Sequence, residues 1–159
     1  LNTIDLIIMN FNEVRRRSIK LWNEIPLNYI DWKPDEEAMT CSEMILHVLE
    51  SEHIYHQILL AKGTANFSGE FRNPFADKQF NSVKEELEFA KPYREDFINY
   101  IRDLNQEDLD EVKIDRSDAG YIRTLGDMLL RIAYHESVHT GQLLDYMRTM
   151  NIDRPKIWD

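Results

Sequence analysis
The strongest constraint on the fold is an apolar period of three and four residues that recurs along four segments. In the first, Ile4, Ile8, Phe11, Val14, Leu21 and Ile25 form one stripe, which predicts a long helix ending at Pro26. In the second, Thr40-x-x-Glu43 has the form of a capping box, and Met44, His47, Ser51, Ile54 and Ile58 share a face up to a stop at Gly63. The third opens on Ser82-x-x-Glu85, again a capping box in form, and carries Val83, Leu87, Ala90, Phe97, Ile101 and Leu104. Pro92 inside it predicts a kink or two abutting segments. The fourth, capped by Thr124-x-x-Asp127, runs to about Met150 with Asn151 as its stop. Helices of roughly 20 to 25 residues are about 30 to 38 Å long, and such matched lengths pack side by side. The expectation is an all-α four-helix bundle.

The connections refine this. Residues 63–80, "GTANFSGEFRNPFADKQF", have no helical period and are long enough to cross a bundle between helices two and three. Residues 110–123, "DEVKIDRSDAGYIR", fit a small hairpin or an irregular loop, and the alternation is too short to choose. There is no internal repeat, and 159 residues suit a single domain over 1–159.

A net charge of -10 argues against general affinity for nucleic acid or anionic membranes, since phosphate binding needs a positive footprint. The one basic run, Arg15 to Arg17, reads as a solvated helix face. A single cysteine, Cys41, cannot form an internal disulfide, so the cytosol is the expected compartment. The run "IDLIIM" is too short to span a bilayer.

Within the fourth segment, Leu125, Met128, Ile132, His135, His139, Gln142 and Tyr146 follow at three- and four-residue steps, which puts two histidines on successive turns of the apparent inward stripe. Buried imidazoles need partners for both ring nitrogens, and a metal ion satisfies a pair of them at once. A catalytic zinc-type site takes three protein ligands and leaves a position for water or substrate. His47, on the inward stripe of the second helix, is the natural third ligand. His53 and His56 lie elsewhere on that helix and read as surface or boundary residues.

His135-Glu136-x-x-His139 also has the spacing of zinc metallopeptidases. Those enzymes need a downstream Glu, or a His six residues past the second His with a Gly between. Here the corresponding residues are Asp145 and Gln142, and none of the 20 residues after His139 is Glu. The peptidase reading therefore ranks below the others. Gln142 and Glu136 remain weak candidates for catalytic polar groups beside an open metal position.

Two stretches carry a family resemblance: "YIDWKPDEEAMTCSEMILHVLESEHIY" and, far downstream, "TLGDMLLRIAYHESVHTGQLLDYMR". With the Trp-x-Pro entry at Trp32 to Pro34, His47 in the second helix and the His135-x-x-x-His139-x-Gly141-Gln142 segment, the chain resembles the DinB/YfiT-like family over nearly its whole length. The resemblance implies up-down-down-up topology and one divalent metal on His47, His135 and His139. It also implies frequent homodimers, and relatives that include bacillithiol S-transferases and mycothiol-dependent isomerases. Zinc or nickel suits three imidazoles. The functional expectation is a metal-dependent enzyme that transfers a low-molecular-weight thiol to an electrophilic small molecule. The alternative is a helical stress-response or binding protein with a structural metal or none.

Overall fold
The computed structural model describes residues 1–65, 67 and 71–159. Four long helices carry the fold: α1 (Thr3–Glu24), α2 (Cys41–Ala61), α3 (Val83–Arg102) and α5 (Leu125–Thr149). A single-turn helix α4 (Asp108–Glu111) and an antiparallel hairpin of β1 (Lys113–Arg116) and β2 (Tyr121–Thr124) lead into α5. The undecided 110–123 stretch is thus a hairpin, turned at Gly120 in the left-handed region (φ 84°).

The caps follow local chemistry. Asn2 with Asp5 and Thr40 with Glu43 form reciprocal capping boxes at α1 and α2. At α3 only half of the expected box forms. Ser82 accepts from the Glu85 N–H, but the N–H of Asn81 goes to the carboxylate of Glu86, which is buried and paired with Lys78. Pro92 lies on the exposed side of one uninterrupted α3, where water can solvate the carbonyl it frees. Lys62 ends α2 with a left-handed φ of 57°, and Gly63 then passes so close to β1 that an added Cβ would lie 2.3 Å from the Asp115 carbonyl oxygen.

Helix directions follow from two separate apolar clusters. One gathers Ile4, Ile7 and Phe11 from the start of α1, Ile58 and Leu59 from the end of α2, Phe97 and Ile101 from the end of α3, and Leu125 to Ala133 from the start of α5. The other gathers Leu21, Trp22 and Ile25, Cys41 to Leu49, Ala90, and Leu143, Met147 and Met150. Starts of α1 and α5 therefore share an end of the bundle with the finishes of α2 and α3, which is up-down-down-up. α1 and α2 each pack against both α3 and α5. Because α2 and α3 run the same way, the chain between them must return along the bundle, and the long connection after Gly63 does so.

Between the clusters lies a layer of charge. The buried Arg15 donates from Nε to Glu136 at 2.8 Å, and from an Nη to Glu136 at 3.0 Å and to Glu52 at 3.2 Å. Arg94 also donates to Glu52, and to the Phe11 carbonyl at 3.0 Å. Ser18 and Thr140 hydroxyls meet at 2.8 Å one turn further on. Two guanidinium and two carboxylate groups thus join all four helices with no net charge. Arg15 departs from the solvated-face expectation, while Arg16 and Arg17 keep to it, pairing with Glu13 at the surface. Of the three consecutive arginines, Arg15 is the one turned toward α5 and α2.

Removing one partner of a buried ion pair strands the other, so Arg15→Ala is expected to lower unfolding free energy by about 3–5 kcal/mol. Arg16→Ala at the exposed pair should leave stability nearly unchanged, since solvent screens that pair. Urea denaturation of both variants checks the contrast.

Candidate metal centre
The ionic layer sets the height at which three histidines meet. Glu136 is adjacent to His135 in α5, so anchoring its carboxylate to Arg15 fixes the rotation of that turn. The core side of α5 is Leu129, Ala133, Glu136, Thr140, Leu143 and Met147. His135 and His139 lie at the half-buried edge of this face, a correction to the reading that they point into the core. A helix in a four-helix bundle buries a wide face, and the apolar pattern alone locates its centre only to within about a residue. His47, also half-buried, approaches from α2.

The Nε2 atom of His135 lies 3.1 Å from that of His47 and 3.1 Å from that of His139. Ligand atoms of the three residues all fall within 4.8 Å of one another. Imidazole nitrogens bound at about 2.0–2.1 Å around a tetrahedral ion are roughly 3.3–3.4 Å apart, so the two separations from His135 lie near what one divalent ion requires. Two of the other ring nitrogens, those of His139 and His47, have partners behind them. His139 Nδ1–H donates to the Gln142 Oε1 at 2.7 Å, and His47 Nδ1 faces the Ser51 hydroxyl at 3.5 Å. Engaging Nδ1 leaves Nε2 with its lone pair aimed at the common point.

Electrostatics favour neutral ligands. Burial, then the neighbouring His139 and His47, push His135 down to about 4 from an ordinary value of 6.5. Burial and His139 also lower His47. Only three residues form such a group among the described residues, and the half-buried edge leaves a side open to solvent. That combination suits a reactive site more than a closed structural one, which takes four protein ligands.

The other candidates separate cleanly. Glu136 is 5% exposed with both carboxylate oxygens held by Arg15, and although burial acts to raise it, the Arg15 charge keeps it below the usual carboxylate range. It is a tie between helices rather than a base. Gln142 is exposed and positions His139. His56, expected at the surface, is buried against the Phe97 and Tyr100 rings, because α3 covers that side of α2. Cys41 is buried, and burial pushes its thiol up to about 11, so it offers no nucleophile.

The sequence profile of the DinB superfamily matches residues 10–143. The chain belongs to the DinB superfamily. The YjoA protein of Bacillus subtilis (strain 168) is 30% identical over 145 residues, covering 91% of this chain and 88% of its own. The crystal structure of that DinB-like protein superposes with a TM-score of 0.70 over 96% of both chains, at 24% identity. A DinB-like protein from Bacillus cereus ATCC 10987 gives 0.70 over 94% of both chains at 14% identity. Bacillus subtilis YfiT gives 0.72, covering 96% of this chain and 91% of that one at 14% identity, and is described as "a probable metal-dependent hydrolase with an unusual four-helix bundle topology". This DinB chain shares that four-helix-bundle fold.

Three outcomes test the centre. Gln142→Ala should weaken metal binding by roughly 10- to 100-fold, the usual effect of losing an outer hydrogen bond to a ligand, measured by competition with a chelator. Glu136→Gln should keep the metal and lower thermal stability, whereas the same change at a general base that ties no helices together would keep the metal and spare stability. Lowered folded-state values mean that protons compete less well for His135 and His47 at a given pH, so bound metal should persist below the ordinary histidine range. Stepwise dialysis with elemental analysis is expected to place release below the ordinary histidine range.

Proposed function
We propose that this DinB protein is a metal-dependent enzyme that transfers a low-molecular-weight thiol, such as bacillithiol, to an electrophilic small molecule. The observation that carries this reading is the convergence of His47, His135 and His139 Nε2 atoms at a half-buried edge. When bound, a divalent ion such as zinc or nickel supplies positive charge that three neutral imidazoles do not offset, and this favours thiolate over thiol.

The chain's own residues do the rest. His47, Ser51, His139 and Gln142 hold the donor atoms in place before any ligand arrives, which removes reorganisation from the binding step. The Tyr55 ring stands edge-on to His135 with centroids 6.0 Å apart and limits the ring's tilt. Asn73, in the crossover, donates to Glu50 of α2 at 2.5 Å and ties the returning chain to the helix that bears His47. With Cys41 sealed in the core, the nucleophile must enter with the substrate.

A hydrolase is the second reading, favoured by the description of YfiT and requiring the same centre with water in place of thiol. A peptidase is disfavoured by the buried ion pair of Glu136. The stripe Leu130, Tyr134 and Val138 along α5, beside Leu6 and Met9 of α1, is exposed and apolar and supports a homodimer. No helix among the described residues is long and apolar enough to cross a membrane.

The deciding assay offers bacillithiol, glutathione and coenzyme A with a chromogenic electrophile, beside a chromogenic ester and casein, to the zinc- and nickel-loaded protein. Conjugation with at least one thiol, reduced to background by His47→Ala, is the expected result. Ester cleavage alone, lost in the same variant, would replace thiol transfer by hydrolysis.

A further inference from the structure
The half-buried edge of α5 that presents His139 and His135 continues one turn toward the start of the helix to Arg131. The guanidinium of Arg131 lies over the Tyr121 ring, 4.7 Å from its centroid, and has no hydrogen-bond or ion-pair partner among the described residues. The hairpin around it explains why. Arg116 and Arg123 share the same ring at 5.8 and 5.2 Å, and they take the nearby carboxylates, Arg116 that of Asp118 at 3.2 Å and Arg123 that of Asp127 at 2.7 Å. A ring attracts the charge of a guanidinium through its face and leaves the in-plane N–H donors for an acceptor. Arg131 is thus held in place without being neutralised.

Two observations tie that free fork to the metal centre. One four-residue step of helix, about 6 Å along the axis, separates Arg131 from His135, and after burial and the His139 and His47 rings, the Arg131 charge adds to the lowering of His135. From α2, Tyr55 sets its ring 6.0 Å from His135 and brings a hydroxyl that has no hydrogen-bond partner among the described residues. Donors without acceptors beside a metal centre call for an anion. A carboxylate matches the fork in shape and balances one charge with one. A phosphate dianion would need a second free cation, and Arg116 and Arg123 are already paired.

We propose that Arg131 determines the specificity of this centre by binding a carboxylate of the small molecule whose other end reaches the metal on His47, His135 and His139, with the Tyr55 hydroxyl as a second donor. This rests on the reading of the three histidines as a centre open to ligand, and it narrows the substrate to one that bears a carboxylate a few bonds from its reacting atom. Because Tyr121 holds the guanidinium ready, binding breaks no ion pair.

The test titrates the protein with 3-mercaptopropionate and, as the neutral match in shape, 3-mercaptopropanol. In the zinc-loaded protein the Arg131 Nε–H is followed by NMR, and in the cobalt-loaded protein the thiolate-to-metal absorption band is followed. The acid is expected to shift Arg131 saturably and to bind about tenfold or more tightly than the alcohol, the usual effect of a hydrogen bond to a charged group. Arg131→Gln should keep the metal and reduce the acid to the level of the alcohol, and Arg131→Lys should restore part of the preference. Equal binding of acid and alcohol, an acid preference that survives Arg131→Gln, loss of metal in that variant, or an Arg131 resonance that the acid leaves unmoved would each overturn the proposal. A shift of Arg131 by the acid with no absorption band would uphold the carboxylate subsite and overturn thiol binding at the metal instead.

Discussion
Everything in this bundle is arranged around the buried contact between Arg15 and Glu136. The bidentate fork joins α1 to α5, and Glu52 with Arg94 extends the connection to α2 and α3. Burial opposes the charge of both partners, and mutual attraction restores it, raising Arg15 and lowering Glu136. Hydrophobic residues of similar size could fill the space as stably. What they would lack is directionality. A charge layer between two apolar clusters penalises any sliding of one helix past another, since a shift by one turn would leave four charges unpaired in the interior.

That directional constraint explains why the metal centre can sit at the edge. Two ligands are a turn apart on one helix, so their spacing is set by helical geometry alone. The third comes from another helix, and its Nε2 must arrive within a few tenths of an ångström of the right height. Glu136 beside His135 and Glu52 one residue beyond Ser51 lock both helices at that height. The sequence His135-Glu136-x-x-His139 therefore unites two jobs that its similarity to a peptidase motif conceals. The histidines face an open rim, and the glutamate, turned about 100° around the helix, faces the interior.

Much of this was legible in the residues. Periodicity, the Thr40 and Thr124 caps and the Gly63 and Asn151 ends placed the helices closely, because those signals are local. The three histidines could be picked out because two shared a face and a third lay on an apolar stripe. Less legible was which side of a helix a polar residue occupies. Arg15 in a basic run and His56 among polar neighbours both looked like surface groups, yet both are covered, Arg15 by α5 and His56 by α3. A long side chain with a charged tip enters a core only when a partner waits there, and Glu136 lies 121 residues away from Arg15.

By itself, then, the sequence determined the elements, the stops between them, a connection long enough to cross the bundle and the candidate metal ligands, since each depends on neighbours within a turn or two or on residue chemistry. Only the tertiary structure decided the hairpin before α5, the role of Glu136 as a tie, the task of Gln142 behind His139 and the burial of His56 against α3. These depend on pairings between distant segments. The energy of a buried charge or an orphaned ring nitrogen is set by what packs against it, and nothing in the local order of residues records that.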